Sequence, residues 1–149
     1  MFVVFIAVTS LVLGACKTNP PVPTARDMPA GKNFSGLWYS PHYEHMYVTQ
    51  VGDTVRGVYA YNNGGEFQGT VNGNMLTFRW IDPGNRQNAR RPIEGHGYLQ
   101  LFVEGDRTLL KGAWGYDDAK TGGGPWEAEY VRPLESEDPQ TIEQIKAVH

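Results

Sequence analysis

The chain reads as an all-β protein: a small eight-stranded antiparallel up-and-down (meander) barrel followed by a short C-terminal helix. Three observations carry that expectation. Between Phe34 and Pro133 apolar and polar residues alternate with period two, the period of a strand with one buried face. The alternation is cut at short intervals by Gly-Asp and Asn-Gly pairs, which tolerate the positive φ of tight hairpins. One parity class is almost wholly apolar and the other polar, so the sheet has a greasy face that must pair or close on itself.

Residues 1–15, MFVVFIAVTSLVLGA, carry no charged side chain. The run is short for a spanning helix, which needs about 20 residues, and suits the apolar region of a signal peptide. It ends in Leu13-Gly14-Ala15-Cys16, which resembles the lipobox of bacterial lipoproteins. That resemblance implies that Cys16 accepts a diacylglyceryl group and becomes the mature N-terminus, held in a membrane by two or three acyl chains. Lys17 stands where an Asp would mean retention in the inner membrane, so the resemblance implies, for a cell with two membranes, an outer-membrane protein facing the periplasm. The Lys or Arg usual at the start of such signals is absent. The alternative for Cys16 is a buried core cysteine after an ordinary signal. As the single cysteine of the chain it can form no intrachain disulfide.

Residues 16–33 follow as an acylated, proline-rich linker with Pro20, Pro21, Pro23 and Pro29. Proline fixes φ and removes a donor, so this segment is expected outside the sheet and extended. At about 3.1 Å per residue it would be a spacer of up to about 50 Å, entering the barrel at the end opposite its long loops.

The barrel domain, 34–133, divides into strands at 36–40, 43–51, 54–62, 65–72, 75–82, 96–104, 108–116 and 125–132. Pro41 breaks the first pair, and Gly52-Asp53, Asn63-Gly64, Asn72-Gly73 and Gly105-Asp106 supply later turns. VGDTVRGVYAY at 51–61 resembles EGDRTLLKGAWGY at 104–116, a weak internal repeat of the hairpin. Parity places Trp38, Met46, Val48, Tyr59, Phe67, Leu76, Phe78, Trp80, Leu99, Leu101, Val103, Leu110, Trp114 and Trp126 inward. Arg56, Gln68, Arg79, Gln100, Lys111, Glu127 and Glu129 fall outward. Inward glycines such as Gly57 and Gly97 leave room for rings from facing strands. In the tail, 134–149, a short helix is expected at 139–147: Asp138 caps it, Pro139 suits its first turn, and Ile142 and Ile145 share a face.

Composition excludes some classes of function. Of 149 residues 19% are charged and 40% hydrophobic, and the net charge of −3 is scattered, so nothing suggests a nucleic-acid partner. No nucleophile motif, phosphate loop or metal-ligand spacing is present, so no enzyme, cofactor or metal is expected. His42 and His45 flank Glu44, but His42 lies in a turn and His45 points outward by parity.

The opening NFSGLWY resembles the first-strand signature of lipocalins, an aromatic followed by Gly-x-Trp. The resemblance to the avidin family runs longer, over about residues 34–61: Gly-x-Trp-Tyr, a short turn, an apolar strand, then Gly-x-Tyr. Both families are eight-stranded antiparallel barrels with a ligand in the open end. The avidin match puts Tyr59 where that family has a biotin-contacting tyrosine. It puts Ser40 in place of an asparagine and Glu44 in place of a serine. A carboxylate cannot donate the hydrogen bond that a hydroxyl can, so the resemblance implies the fold rather than that ligand.

Turns of a meander alternate between the two ends. The long connections 83–95 and 117–124 therefore share one end, where loops on a rigid scaffold usually carry function. The inward positions nearest that end are Ser40, Glu44, Tyr61, Trp80, Asp82, Tyr116, Asp118 and Trp126. Together with Tyr59 they make the candidate ligand site: an aromatic cup with a carboxylate rim. Arg86, Arg90 and Arg91 stand above it as a candidate partner-binding patch, or as a solvated loop pairing with Asp82 and Glu94. Two functions follow. An open cup favours a small or extended ligand; a solidly filled barrel favours a protein-interaction module such as an envelope assembly factor or enzyme inhibitor.

Overall fold

The computed structural model describes residues 18–84 and 91–147. Its strands are β1 (Gly36–Ser40), β2 (Glu44–Val51), β3 (Thr54–Tyr59), β4 (Gly65–Asn72), β5 (Met75–Asp82), β6 (Ile93–Glu104), β7 (Arg107–Tyr116) and β8 (Gly124–Arg132). Each pairs antiparallel with the next, and β1 returns to pair with β8, so the sheet is a closed barrel without free edges. Helix α1 (Asp138–Ala147) follows. Two boundaries differ from the sequence reading by more than one residue. β3 stops at Tyr59, because Tyr61–Asn63 forms a 3₁₀ turn in which Asn62 has φ +57°. β6 begins at Ile93, shortening the long connection that precedes it.

The alternating pattern becomes the core. Trp38, Met46, Val55, Leu76, Leu99 and Leu101 are wholly buried and fill the part of the barrel nearest the tight turns. Each fully buried large apolar side chain contributes about 1.5–3 kcal/mol over an exposed one. Gly57 lies under the Phe67 ring and Gly97 under the Phe78 ring, where a Cβ would collide with them. Phe34, also fully buried, closes this end, and its carbonyl accepts the Trp38 indole N–H at 2.9 Å. Val103, inward by parity, sits at the turn and is exposed.

The linker departs most from expectation. It is extended, but it is bound along the barrel wall. Thr121 donates to the Pro20 carbonyl at 2.6 Å, and Gln100 donates to the Thr24 carbonyl at 2.9 Å. The amide Oδ1 of Asn74 accepts the Arg26 N–H at 2.8 Å, while the Asn74 N–H donates to the Arg26 carbonyl at 2.8 Å. Gln100, outward by parity, is buried for this reason. The segment thus runs from the long β7–β8 loop down the outside to the β4–β5 turn, then under the barrel to Phe34.

Helix α1 is tied back by Asp138, whose carboxylate takes both terminal nitrogens of Arg132 at 2.9 and 3.0 Å and the Glu135 N–H. Those donors pull the Asp138 carboxyl from its ordinary value down to about 2. Val58, on the outward face of β3, is buried where it meets the groove shared with Ile142.

Candidate functional site

Among the described residues the long-loop end of the barrel is open. A cup of about 440 Å³ lies there, walled by Tyr43, Tyr59, Tyr61, Trp80, Trp114, Tyr116 and Trp126, with His42, Asn62, Asp82 and Ile93 around it. That volume is in the range of small-molecule sites. Trp126 is the floor: it is buried, its ring meets Phe67, Phe78 and Tyr59 edge-on, and its indole N–H points at the Met46 sulfur at 3.3 Å. Below it the barrel is filled; above it the rings line open space.

Five of the expected ligand residues, Tyr59, Tyr61, Trp80, Tyr116 and Trp126, converge on this cup. Tyr59 and Trp80 are buried wall residues, and the Trp80 N–H is shared between the His96 and Gly115 carbonyls at 3.2 Å each. Tyr61 and Tyr116 form the exposed rim. Asp82 lines the cup too, but as a loop tie: it accepts the Asn62 side-chain amide at 3.1 Å and the Gly84 N–H at 3.0 Å.

Ser40 and Glu44 do not join them. The Ser40 hydroxyl is fully buried and accepts the His42 and Tyr43 amides at 3.3 and 3.2 Å, closing the β1–β2 turn. Glu44 is exposed with φ +61°, a conformation non-glycine residues rarely take. This left-handed residue swaps the strand parity at its start, so Glu44 turns out and Tyr43 turns in. Sequence reasoning missed Tyr43, and it placed Trp114 inward without assigning it to the site. The Tyr43 ring lies 4.4 Å from that of Trp126 and 5.7 Å from that of Tyr61. Burial raises its phenol pKa, opposed by the neighbouring Trp114 indole. Nothing in the alternation marks Tyr43; the signal would have been the three-residue turn itself.

Trp114 packs edge-on against Trp80 at 5.4 Å and Tyr116 at 5.0 Å. Its indole N–H is buried and makes no hydrogen bond of standard geometry among the described residues, and the Tyr43 phenol is the polar group that meets it. Arg91 is exposed, while Arg86, Arg90 and Cys16 lie outside the described residues. Among the described residues no three His, Cys, Asp or Glu side chains gather as metal ligands, and no helix is long and apolar enough to cross a membrane.

A larger groove, about 690 Å³, lies outside the barrel between α1 and the faces of β2–β5. Arg56, Glu66, Arg79 and Lys146 edge it, so it is a solvated sheet face rather than a set of converging rings. Comparison with protein-family models, curated proteins and solved structures returns no match to this chain.

Proposed function

We propose that this protein is a lipid-anchored envelope lipoprotein whose barrel binds a small, ring-bearing or sugar-like ligand in the aromatic cup, without catalysis. The observation that carries the reading is the open cup of about 440 Å³ walled by Tyr43, Tyr59, Tyr61, Trp80, Trp114, Tyr116 and Trp126. Aromatic faces stack on rings, and an indole N–H selects for an acceptor such as a hydroxyl or carbonyl oxygen. The anchor rests on Leu13-Gly14-Ala15-Cys16 and its resemblance to the lipobox. The ligand reading also draws on the likeness of residues 34–61 to avidins and lipocalins.

The experiment for the anchor is palmitate incorporation with membrane fractionation. Wild type is expected to label and to sediment with membranes, and Cys16→Ser to do neither. A Cys16→Ser variant that still labels and sediments contradicts the anchor. For the cup, tryptophan emission is followed while aryl glycosides, disaccharides and free aromatic acids are added. A saturable change that Tyr61→Ala/Tyr116→Ala weakens supports the ligand reading.

One observation favours the second reading, a protein-interaction module. The barrel is solid below Trp126, so the cup is shallow and its rim tyrosines stand in solvent. A partner captured from envelope extract by wild type and lost on Arg91→Ser, with no small-molecule binding, would support that reading instead.

A further inference from the structure

The linker fixes a direction. From the β4–β5 turn towards its N-terminal end it climbs the barrel wall, and Asn19 and Pro20 lie against Gly122 and Thr121 of the β7–β8 loop. That loop belongs to the mouth. Cys16 is three residues before Asn19 in the sequence, and three residues span at most about 11 Å. A lipid carried on Cys16 would therefore be held within about 11 Å of Asn19, on the mouth side of the barrel.

The surface of the two ends agrees with this. The exposed aromatic residues are Tyr39, Tyr61 and Tyr116, and all lie at the mouthward ends of their elements, with exposed Ile93 among them. The exposed large apolar residues of the opposite end are Val51, Val103 and Val131. Tyrosine prefers the headgroup layer of a membrane, where its ring meets acyl chains and its hydroxyl meets water. The barrel wall, by contrast, shows Arg56, Arg79, Lys111 and Glu127 to solvent, so it cannot face hydrocarbon.

We propose that the protein stands mouth-down, with the rim tyrosines seated at the headgroup layer of the bilayer that holds its lipid. This rests on the acylation of Cys16. The cup then opens onto the lipid surface, and its ligand comes from the headgroup layer rather than from bulk solvent.

The test uses the full acylated protein in vesicles of phosphatidylethanolamine and phosphatidylglycerol, with a fraction of the lipid spin-labelled at the headgroup. A fluorophore is placed at Asp118→Cys on the mouth loop or at Val51→Cys at the closed end. Quenching is expected to be several-fold stronger at position 118. Releasing the linker with Gln100→Ala/Thr121→Val should bring the two positions towards equality, while palmitate labelling and sedimentation stay unchanged. Equal quenching, or stronger quenching at position 51, in palmitate-labelled protein overturns the orientation and leaves the anchor intact. Absence of palmitate in the wild type overturns the anchor, and the orientation with it.

Discussion

Single residues decide where alternation stops being a guide. Glu44 takes φ +61°, and this one residue moves Tyr43 into the cup and itself out of it. Period two was enough to place Trp38, Trp80 and Trp126 inward, because each lies well inside a strand. It could not place residues 43 and 44, because a positive φ in a non-glycine residue leaves no mark on hydrophobicity. Ser40 and Asp82 show the same limit from the polar side: parity put them at the cup, but their hydrogen bonds go to the chain itself. Burial separates tryptophans that look alike in sequence. Trp38→Ala, in the filled half, is expected to cost about 3–5 kcal/mol in denaturant unfolding. Lys111→Ala, which is exposed, pairs with Glu104 and lies over the Phe102 ring, is expected to shift stability by less than about 0.5 kcal/mol. Equal effects would contradict the assigned faces.

Elements outside the sheet are held by polar contacts that no periodicity announces. The strands were legible because each has a buried face; the linker was read as a free spacer because its prolines dictate extension and say nothing of docking. Its anchors are the Arg26 N–H, which the Asn74 side chain accepts, and the Thr24 and Pro20 carbonyls, to which Gln100 and Thr121 donate, and these three side chains resemble ordinary surface residues in sequence. Asn74→Ala removes an acceptor for the Arg26 N–H and a donor to the Leu101 carbonyl, so it should destabilise by roughly 1–3 kcal/mol. It should also open residues 18–30 to proteolysis before the barrel unfolds. A variant with wild-type stability and no new cleavage would mean that the linker is a spacer after all. Helix α1 offers a pH test. The folded Asp138 carboxyl titrates at about 2, below the ordinary carboxylate value, so its stabilising effect is complete above about pH 4 and is lost as pH falls through the folded value. Hydrogen exchange of the α1 amides, corrected for intrinsic rates, should show protection at pH 4.5 and loss near pH 2. Arg132→Met should lose that protection already at pH 4.5. Helix protection that does not change between these pH values would contradict the role given to the Arg132–Asp138 pair.

The whole molecule divides along the barrel axis. Phe34 and the small valines lie at the filled end; the rings, the long connections and the departing linker lie at the other. The closed eight-stranded meander could be foreseen because one face of every strand is apolar and the number of strands is even, so β1 meets β8 antiparallel. Which end the chain leaves from could not be foreseen, since that depends on the docked linker. The central claim is that the open end binds a ligand through its rings. Chemical-shift mapping on the labelled barrel, titrated with the aryl glycosides and disaccharides already named and then with envelope extract, tests it most directly. Saturable shifts are expected at the Trp114 and Trp80 indole N–H groups and at Tyr43, reduced about tenfold in affinity by Tyr61→Ala/Tyr116→Ala. Shifts confined to the groove beside α1 or to the closed end, or no saturable shift with any of these additions, would contradict it.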